Sequence, residues 1–131
     1  MFVYAAAIVA MLEGEDDAAD LSARFSRAET IQTSAVAVYE AVLGLARAQN
    51  ISVPDAEIAV NDLLSHAQGE IIPITAEIGR EAIRAFEHFG RGRHPARLNM
   101  GDCFAYACAR ALNVPLLFKG EDFSQTDIAA G

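Results

Sequence analysis

The sequence predicts an α/β fold in which helices pack against a short, largely parallel sheet. Short apolar segments that suit strands alternate along the chain with longer segments whose apolar residues recur at helical spacing. This alternation is typical of parallel strands joined by helical crossovers. The chain has 131 residues, of which 53% are hydrophobic, so it can bury one core but has little room for a second. We therefore expect a single domain over residues 1–131.

Local signals delimit the predicted elements in the first half of the chain. Ser34 and Ser52 are good N-caps for the helices that follow them, and Pro54 suits the first turn of the second of these helices. Gly14 is expected to end the first helix. We predict a strand at 2–4, helices at 5–12 and 17–28, a strand at 31–33, and helices at 35–48 and 52–68.

The second half of the chain continues the alternation. Pro73 restricts its segment to the edge of a sheet or the end of a strand, because proline donates no ladder hydrogen bond. Thr75 is a good N-cap, and Asn113 suits the end of a helix. We predict a strand at 71–74, a helix at 76–89, a loop at 91–99, a helix at 101–112 and a strand at 116–118.

The charges are unevenly distributed along the chain. With 18 acidic and 10 basic residues the formal charge is −8, which argues against nucleic-acid binding through a generally basic surface. Five arginines nevertheless fall within residues 80–97. This basic segment could contact a polyanion locally, or it could be a solvated helix end and loop. The five are Arg80, Arg84, Arg91, Arg93 and Arg97.

The amino-terminal apolar run and the two cysteines indicate a cytoplasmic protein with no membrane segment. The run from Met1 to Leu12 has 12 residues, short of the ~20 that cross a bilayer. It does not resemble a signal peptide either, because no basic residue precedes it. Cys103 and Cys108 lie in one predicted helix at a spacing that suits neither a disulfide nor a paired metal motif, so we expect buried reduced thiols.

Three carboxylates and one tyrosine are expected at the carboxyl ends of the strands, where α/β sheets bind ligands. Each acid has a simpler explanation when taken alone. Glu40 could lie on the solvent stripe of its helix, Asp102 could cap a helix, and Asp122 could belong to a turn. Brought together, Glu40, Asp102 and Asp122 would repel one another unless a cation lay among them, and carboxylate oxygens suit Mg²⁺ or Mn²⁺. Tyr4 follows the first strand.

Four segments of the chain, in their order and spacing, resemble the PIN-domain ribonucleases, and within them the VapC toxins of bacterial toxin–antitoxin pairs. The resemblance covers essentially the whole chain. The segments are the opening Met1-Phe2-Val3 with Ala7-Ile8-Val9-Ala10, then Glu40–Leu45, Leu98–Ala107 and Leu116–Ile128.

The resemblance implies a PIN-like α/β/α sandwich that acts as a metal-dependent endoribonuclease. It implies that Glu40, Asp102 and Asp122 are the catalytic residues and hold Mg²⁺ or Mn²⁺, which would activate a water to cut RNA, often transfer RNA. It also implies a homodimer, a VapB-type antitoxin as partner, and contact with DNA only through that antitoxin. The basic loop residues Arg91, Arg93 and Arg97 become candidates for holding the RNA backbone.

The chain departs from the family pattern just after its first strand. Tyr4 stands where family members carry an aspartate, and Ala6 stands where they usually carry serine or threonine. Because a neutral tyrosine is a poor Mg²⁺ ligand, we expect reduced or absent nuclease activity. Two alternatives remain open. The chain could be an inactive PIN domain that dimerises and binds an antitoxin, or an acidic α/β protein without a site.

Overall fold

Helices pack against a small parallel sheet, as the sequence predicts. A computed structural model describes residues 1–121 and 123–131 of the chain. The strands are β1 (Phe2–Val3), β2 (Gln32–Ser34), β3 (Glu70–Ile72) and β4 (Leu116–Leu117). The helices are α1 (Ala5–Glu13), α2 (Ala18–Arg27), α3 (Ala35–Gln49), α4 (Val53–His66), α5 (Ala76–Phe89) and α6 (Met100–Leu112), and a 3₁₀ turn spans Phe123–Gln125.

The strands are ordered β3-β2-β1-β4, and each neighbouring pair is parallel. Phe2 lies opposite Gln32 on one side and opposite Leu116 on the other. The chain therefore builds outward from β1 through β2 to β3 and then returns to the other side of β1 with β4. In such sheets the crevice at the carboxyl ends of the strands, where the order reverses, is the usual ligand position. Here that position lies between the ends of β1 and β4.

The predicted caps explain where the helices begin and end. Ser34 accepts a hydrogen bond from the Ala37 amide at 3.1 Å, and Ser52 and Thr75 cap α4 and α5 in the same way. Asn113 has left-handed backbone with φ of 54° at the end of α6. These local interactions satisfy amide and carbonyl groups that the first and last turns of a helix leave unpaired.

The predicted elements differ from the observed ones by at most two residues at their ends, and the helix predicted at 76–89 matches α5 at both ends. The third strand begins at Glu70 and ends at Ile72, directly before Pro73, and it lies at the edge of the sheet, so the structure agrees with the prediction of a sheet edge or a strand end. Helix α4 ends at His66, two residues earlier than predicted, and α6 begins one residue earlier, at Met100. The ends of elements this short depend on a few hydrogen bonds to neighbouring segments.

The core lies around β1 and β4 and the faces of α1, α3 and α6 that pack near them. Cys103 and Cys108 are buried free thiols on α6, as predicted. None of the helices in the described part of the chain combines the length and the apolar character needed to cross a membrane. The largest side chains with almost no exposed surface are Phe2, Phe123, Ile8, Leu21, Leu45, Leu98, Leu116 and Leu117.

Candidate active site

Tyr4, Glu40 and Asp102 come together at the carboxyl end of β1. Tyr4 is the residue between β1 and α1, and its amide donates a hydrogen bond to the Leu117 carbonyl of β4 at 3.0 Å. Glu40 lies in α3, which begins directly after β2, and Asp102 lies in the first turn of α6. Three segments far apart in sequence therefore meet at the crevice where the strand order reverses. Asp122, the fourth predicted site residue, lies outside the described residues.

The Tyr4 hydroxyl lies between the two carboxylates. It donates a hydrogen bond to Glu40 Oε2 at 3.4 Å and is also within hydrogen-bonding reach of the Asp102 side chain. Burial raises the pKa of the Tyr4 phenol far above its ordinary value, and the charges of Asp102 and Glu40 raise it further. The phenol is therefore a neutral hydrogen-bond donor across the whole physiological pH range.

Glu40 is turned toward the site and away from the solvent stripe of α3. Its Oε1 is buried and has no hydrogen-bond partner among the described residues. Burial raises the pKa of Glu40; the hydrogen bond from Tyr4 lowers it, and the nearby Asp102 charge raises it again. The inward interpretation of this isolated acid is therefore the one that the structure supports, because a solvated carboxylate would have neither a buried oxygen nor a raised pKa.

Asp102 has a structural role as well as a place in the site. Its Oδ2 accepts a hydrogen bond from the Asn99 amide at 3.0 Å, and the Asn99 side chain accepts one from the Asp102 amide at the same distance. This reciprocal pair is a capping box at the start of α6. The same side chain, 6% exposed, lies beside Tyr4 and influences Glu40 electrostatically. The two interpretations of Asp102 are therefore compatible.

Gly101 forms a wall of the site that sequence reasoning missed. A Cβ atom added to Gly101 would collide with both carboxylate oxygens of Glu40 and lie 2.5 Å from its Cδ. A side chain at position 101 would therefore displace the Glu40 carboxylate. In the sequence, Gly101 is visible only as a glycine in the first turn of a predicted helix, directly before Asp102. Its role depends on the packing of α3 against α6, which brings Glu40 next to it.

Two features of this arrangement fit a divalent cation. The buried Oε1 of Glu40 lacks a partner that a cation would provide, and two close carboxylates form the type of oxygen donor set that Mg²⁺ and Mn²⁺ prefer. Residues 1–121 and 123–131 contain no group of three acidic, histidine or cysteine side chains placed to hold a metal. Glu40 and Asp102 thus fit as two ligands, and Tyr4 contributes a hydroxyl where the family pattern has an aspartate.

The arginine loop, residues 90–98, leads directly into the N-terminus of α6. Its two ends are joined, since the Arg91 amide donates to the Leu98 carbonyl at 3.0 Å and the Leu98 amide donates to the Phe89 carbonyl at 2.9 Å. Inside the loop, the Ala96 amide donates to His94 Nδ1 at 3.0 Å. The loop is therefore an ordered structure held by its own hydrogen bonds.

The arginines of this loop are exposed and available to a ligand. Within the described residues, Arg91, Arg93 and Arg97 form no ion pair with a carboxylate. The Arg93 guanidinium lies over the Phe86 ring, 5.5 Å from its centroid. By contrast, Arg84 of the same basic segment pairs with Glu81 on α5. The loop therefore presents three positive charges that are not neutralised locally, close in sequence to Asp102.

Comparison with known proteins identifies the family of this chain. A model of the PIN domain matches residues 1–129. Ribonuclease VapC28 of Mycobacterium tuberculosis is 37% identical over 129 residues, which cover 98% of this chain and 95% of that protein. The chain belongs to the VapC ribonucleases of the PIN-domain family. Ribonuclease VapC30 of the same organism is 38% identical over 132 residues, with 98% and 96% of the two chains covered.

A solved structure supports the fold of this VapC-family chain. The crystal structure of Mycobacterium tuberculosis VapC20, described as a toxin that cleaves the sarcin-ricin loop, superposes with a TM-score of 0.78. The match covers 99% of this chain and 97% of that one at 18% identity. The predicted α/β class and the predicted family are both confirmed, and the named relatives are ribonucleases. The roles of the individual site residues stay predictions.

Proposed function

We propose that this VapC-family chain is a metal-dependent endoribonuclease toxin whose catalytic residues are Glu40, Asp102 and Asp122. The observation that carries the proposal is the convergence of Glu40 and Asp102, from α3 and α6, at the carboxyl end of β1. The substrate class is RNA, with transfer RNA or another structured RNA as the target. Such a target places the function in the cytoplasm.

Glu40, Asp102 and Asp122 would hold Mg²⁺ or Mn²⁺. When bound, the cation would polarise a phosphate oxygen and lower the pKa of a water that attacks phosphorus. The protein's own contribution is positional. Asn99 holds Asp102 through the capping box, and Gly101 leaves room for the Glu40 carboxylate. A carboxylate beside the attacking water can accept its proton.

Arg91, Arg93 and Arg97 would bind the RNA backbone. Their guanidinium groups are exposed and have no ion-pair partner among the described residues, so phosphate contact would not have to displace an existing carboxylate. An ordered loop at the N-terminus of α6 would also hold the backbone in a fixed relation to Asp102.

Tyr4 and Ala6 would reduce the activity of this chain. Tyr4 replaces a carboxylate that would be the fourth acid of the family's site, and its neutral phenol neither carries charge nor accepts a proton at physiological pH. Changes outside the ligand shell already cost about 10–100-fold in metal affinity or activity, so loss of a direct ligand should cost at least that.

RNA cleavage by three versions of the full chain tests this function. The unmodified chain is compared with Tyr4→Asp and with Tyr4→Asp/Ala6→Ser, in Mg²⁺ or Mn²⁺, on transfer RNA and total RNA. We expect cleavage to rise by at least about tenfold in the variants and to be lost again when Glu40→Gln is added. Asp62→Asn, an exposed acid on α4, is the control that should change nothing. Equal activity in all three versions would refute the proposed role of Tyr4.

The partners proposed for this chain are a VapB-type antitoxin and a second copy of the chain, with DNA contacted only through the antitoxin. An apolar groove of about 290 Å³ between α5 and α6, which includes the exposed side chains of Ile83, Phe86 and Met100, supports a protein–protein interface. Co-expression with the peptide of a neighbouring upstream reading frame, followed by purification and mass measurement of the complex, tests both partners. A chain that stays monomeric and alone under these conditions would contradict them.

A second candidate function is an inactive PIN domain that acts by binding its antitoxin. The position of the Tyr4 hydroxyl beside Glu40 and Asp102 favours it, because a neutral phenol lies there where the family pattern has an aspartate. The two negative side chains could still attract a basic residue of a partner. Retained antitoxin binding together with no RNA cleavage, even in Tyr4→Asp/Ala6→Ser, would select this function over the first.

A further inference from the structure

We propose that the Tyr4 hydroxyl occupies the cation position between Glu40 and Asp102, so that the carboxylate pair is stabilised by a hydrogen-bonded phenol and a divalent cation must displace it. The inference rests on the proposed function in one respect, namely that Glu40 and Asp102 are the cation ligands. Beyond the proposed function, Tyr4 is assigned a direct role, namely competition with the cation for Glu40 and Asp102.

The Tyr4 hydroxyl lies beside both carboxylates. It donates to Glu40 Oε2 at 3.4 Å and is within hydrogen-bonding reach of the Asp102 side chain, so it lies where a cation shared by these carboxylates would lie. Two nearby carboxylates in a buried site repel each other unless a positive or hydrogen-bond-donating group lies between them. In this chain the phenol O–H is such a group.

Hydrogen bonds and packing hold Tyr4 in place. Its amide donates to the Leu117 carbonyl at 3.0 Å, and its carbonyl accepts the amides of Ala7 and Ile8 at 3.1 and 3.2 Å. The residue is 7% exposed, and its ring packs edge-on against Phe123, with centroids 5.6 Å apart. Both the backbone and the ring are therefore held, so a cation that displaces the hydroxyl must move a packed side chain.

Glu40 contacts both the Tyr4 hydroxyl and Gly101. Gly101 lies so close to the Glu40 carboxylate that a Cβ atom there would collide with both of its oxygens. The packing of α6 therefore limits the room into which the Glu40 carboxylate can move. The single phenol proton also leaves Oε1 of Glu40 without a partner among the described residues, so the phenol replaces a cation incompletely. A cation could still bind, but it would compete with the hydroxyl.

Binding of Mn²⁺ to the full chain, followed by electron paramagnetic resonance without RNA, tests the inference. Tyr4→Phe removes the competing oxygen and keeps the ring that packs on Phe123. We expect Tyr4→Phe to bind Mn²⁺ about tenfold or more tightly than the unmodified chain. Tyr39→Phe is the matched control, because Tyr39 precedes Glu40 on α3 but is 65% exposed, and it should leave Mn²⁺ binding unchanged. Tyr4→Leu, which also lacks the hydroxyl, should reproduce the tightening if Tyr4→Phe does not fold.

The possible results separate this inference from the proposed function. Tighter binding in Tyr4→Phe that is lost in Tyr4→Phe/Glu40→Gln supports the inference. A second result is that Glu40→Gln weakens Mn²⁺ binding while Tyr4→Phe binds Mn²⁺ as tightly as the unmodified chain, or less tightly. Glu40 would then remain a cation ligand, and the competing role of Tyr4 would be refuted. If neither Glu40→Gln nor Asp102→Asn changes Mn²⁺ binding in either background, the proposed site itself is wrong and the inference falls with it.

Discussion

Gly101 gives the sharpest prediction about how the site is built. Glycine inside a helix costs about 0.5–1 kcal/mol relative to alanine, so helix propensity alone predicts that Gly101→Ala stabilises the protein. The structure predicts that Gly101→Ala destabilises the protein, because the new methyl group would overlap the Glu40 carboxylate and push it away from the hydrogen bond that it accepts from Tyr4. Such overpacking typically costs about 1–3 kcal/mol.

Gly79 on α5 is the matched control for this substitution. No atom lies within 4 Å of a Cβ added there, so Gly79→Ala should gain up to about 1 kcal/mol. We expect Gly101→Ala to be less stable than Gly79→Ala by about 1–3 kcal/mol. Urea unfolding followed by circular dichroism gives both values, provided that the slope of the free energy against urea is unchanged.

A double-mutant cycle tests whether the Glu40 carboxylate causes the loss of stability in Gly101→Ala. In a Glu40→Ala background the obstructing carboxylate is absent, so Gly101→Ala should become neutral or stabilising, with a coupling energy of about 0.5–3 kcal/mol between the two sites. The reasoning would be refuted if Gly101→Ala stabilised the unmodified chain as much as Gly79→Ala does. A coupling energy near zero would show that the wall formed by Gly101 does not act on Glu40.

Three further predictions concern acidity, capping and RNA binding. Burial raises the pKa of Glu40 in the folded state. Between the pKa of Glu40 in the unfolded state and its pKa in the folded state, the folded protein therefore binds more protons, so the free energy of unfolding should fall as pH rises through this window. Urea unfolding from about pH 4 to 8, without divalent cations, should show this fall reduced in Glu40→Gln and unchanged in exposed Glu57→Gln. Asn99→Ala should cost about 1 kcal/mol through loss of the cap and also lower RNA cleavage, whereas Ser52→Ala should cost as much in urea unfolding without affecting cleavage. In fluorescence anisotropy, Arg93→Ala should weaken RNA binding and reduce the slope of the log binding constant against log salt concentration by about 1. Arg27→Ala on α2 should change neither quantity. An equal effect of both substitutions would contradict a specific role of the loop.

Local sequence signals explain why most helices could be predicted. Ser34, Ser52 and Thr75 each bond to a backbone amide three residues ahead, so their effect depends only on neighbouring residues. Strand ends are less predictable. A strand of two residues, such as β1 or β4, ends where its partner's hydrogen bonds end, and the partners of β1 lie about thirty and more than a hundred residues away along the chain.

The candidate site shows the same division. The sequence pattern singled out Glu40 as an acid among apolar residues, and the family resemblance marked Tyr4 as a departure. Neither observation reveals that the hydroxyl of one lies against the carboxylate of the other, since the two are 36 positions apart. Gly101 could not be assigned a role at all, because its importance lies in the missing side chain next to a residue of another helix.

The sequence by itself determined the helices, their caps, the α/β class and the family, because periodicity and capping act over a few residues and the family motifs are read directly from the chain. The tertiary structure decided the order of the strands, the inward direction of Glu40 and the position of the Tyr4 hydroxyl between Glu40 and Asp102. These features depend on contacts between β1, α3 and α6, which are distant in sequence and meet only when the sheet and its helices pack together.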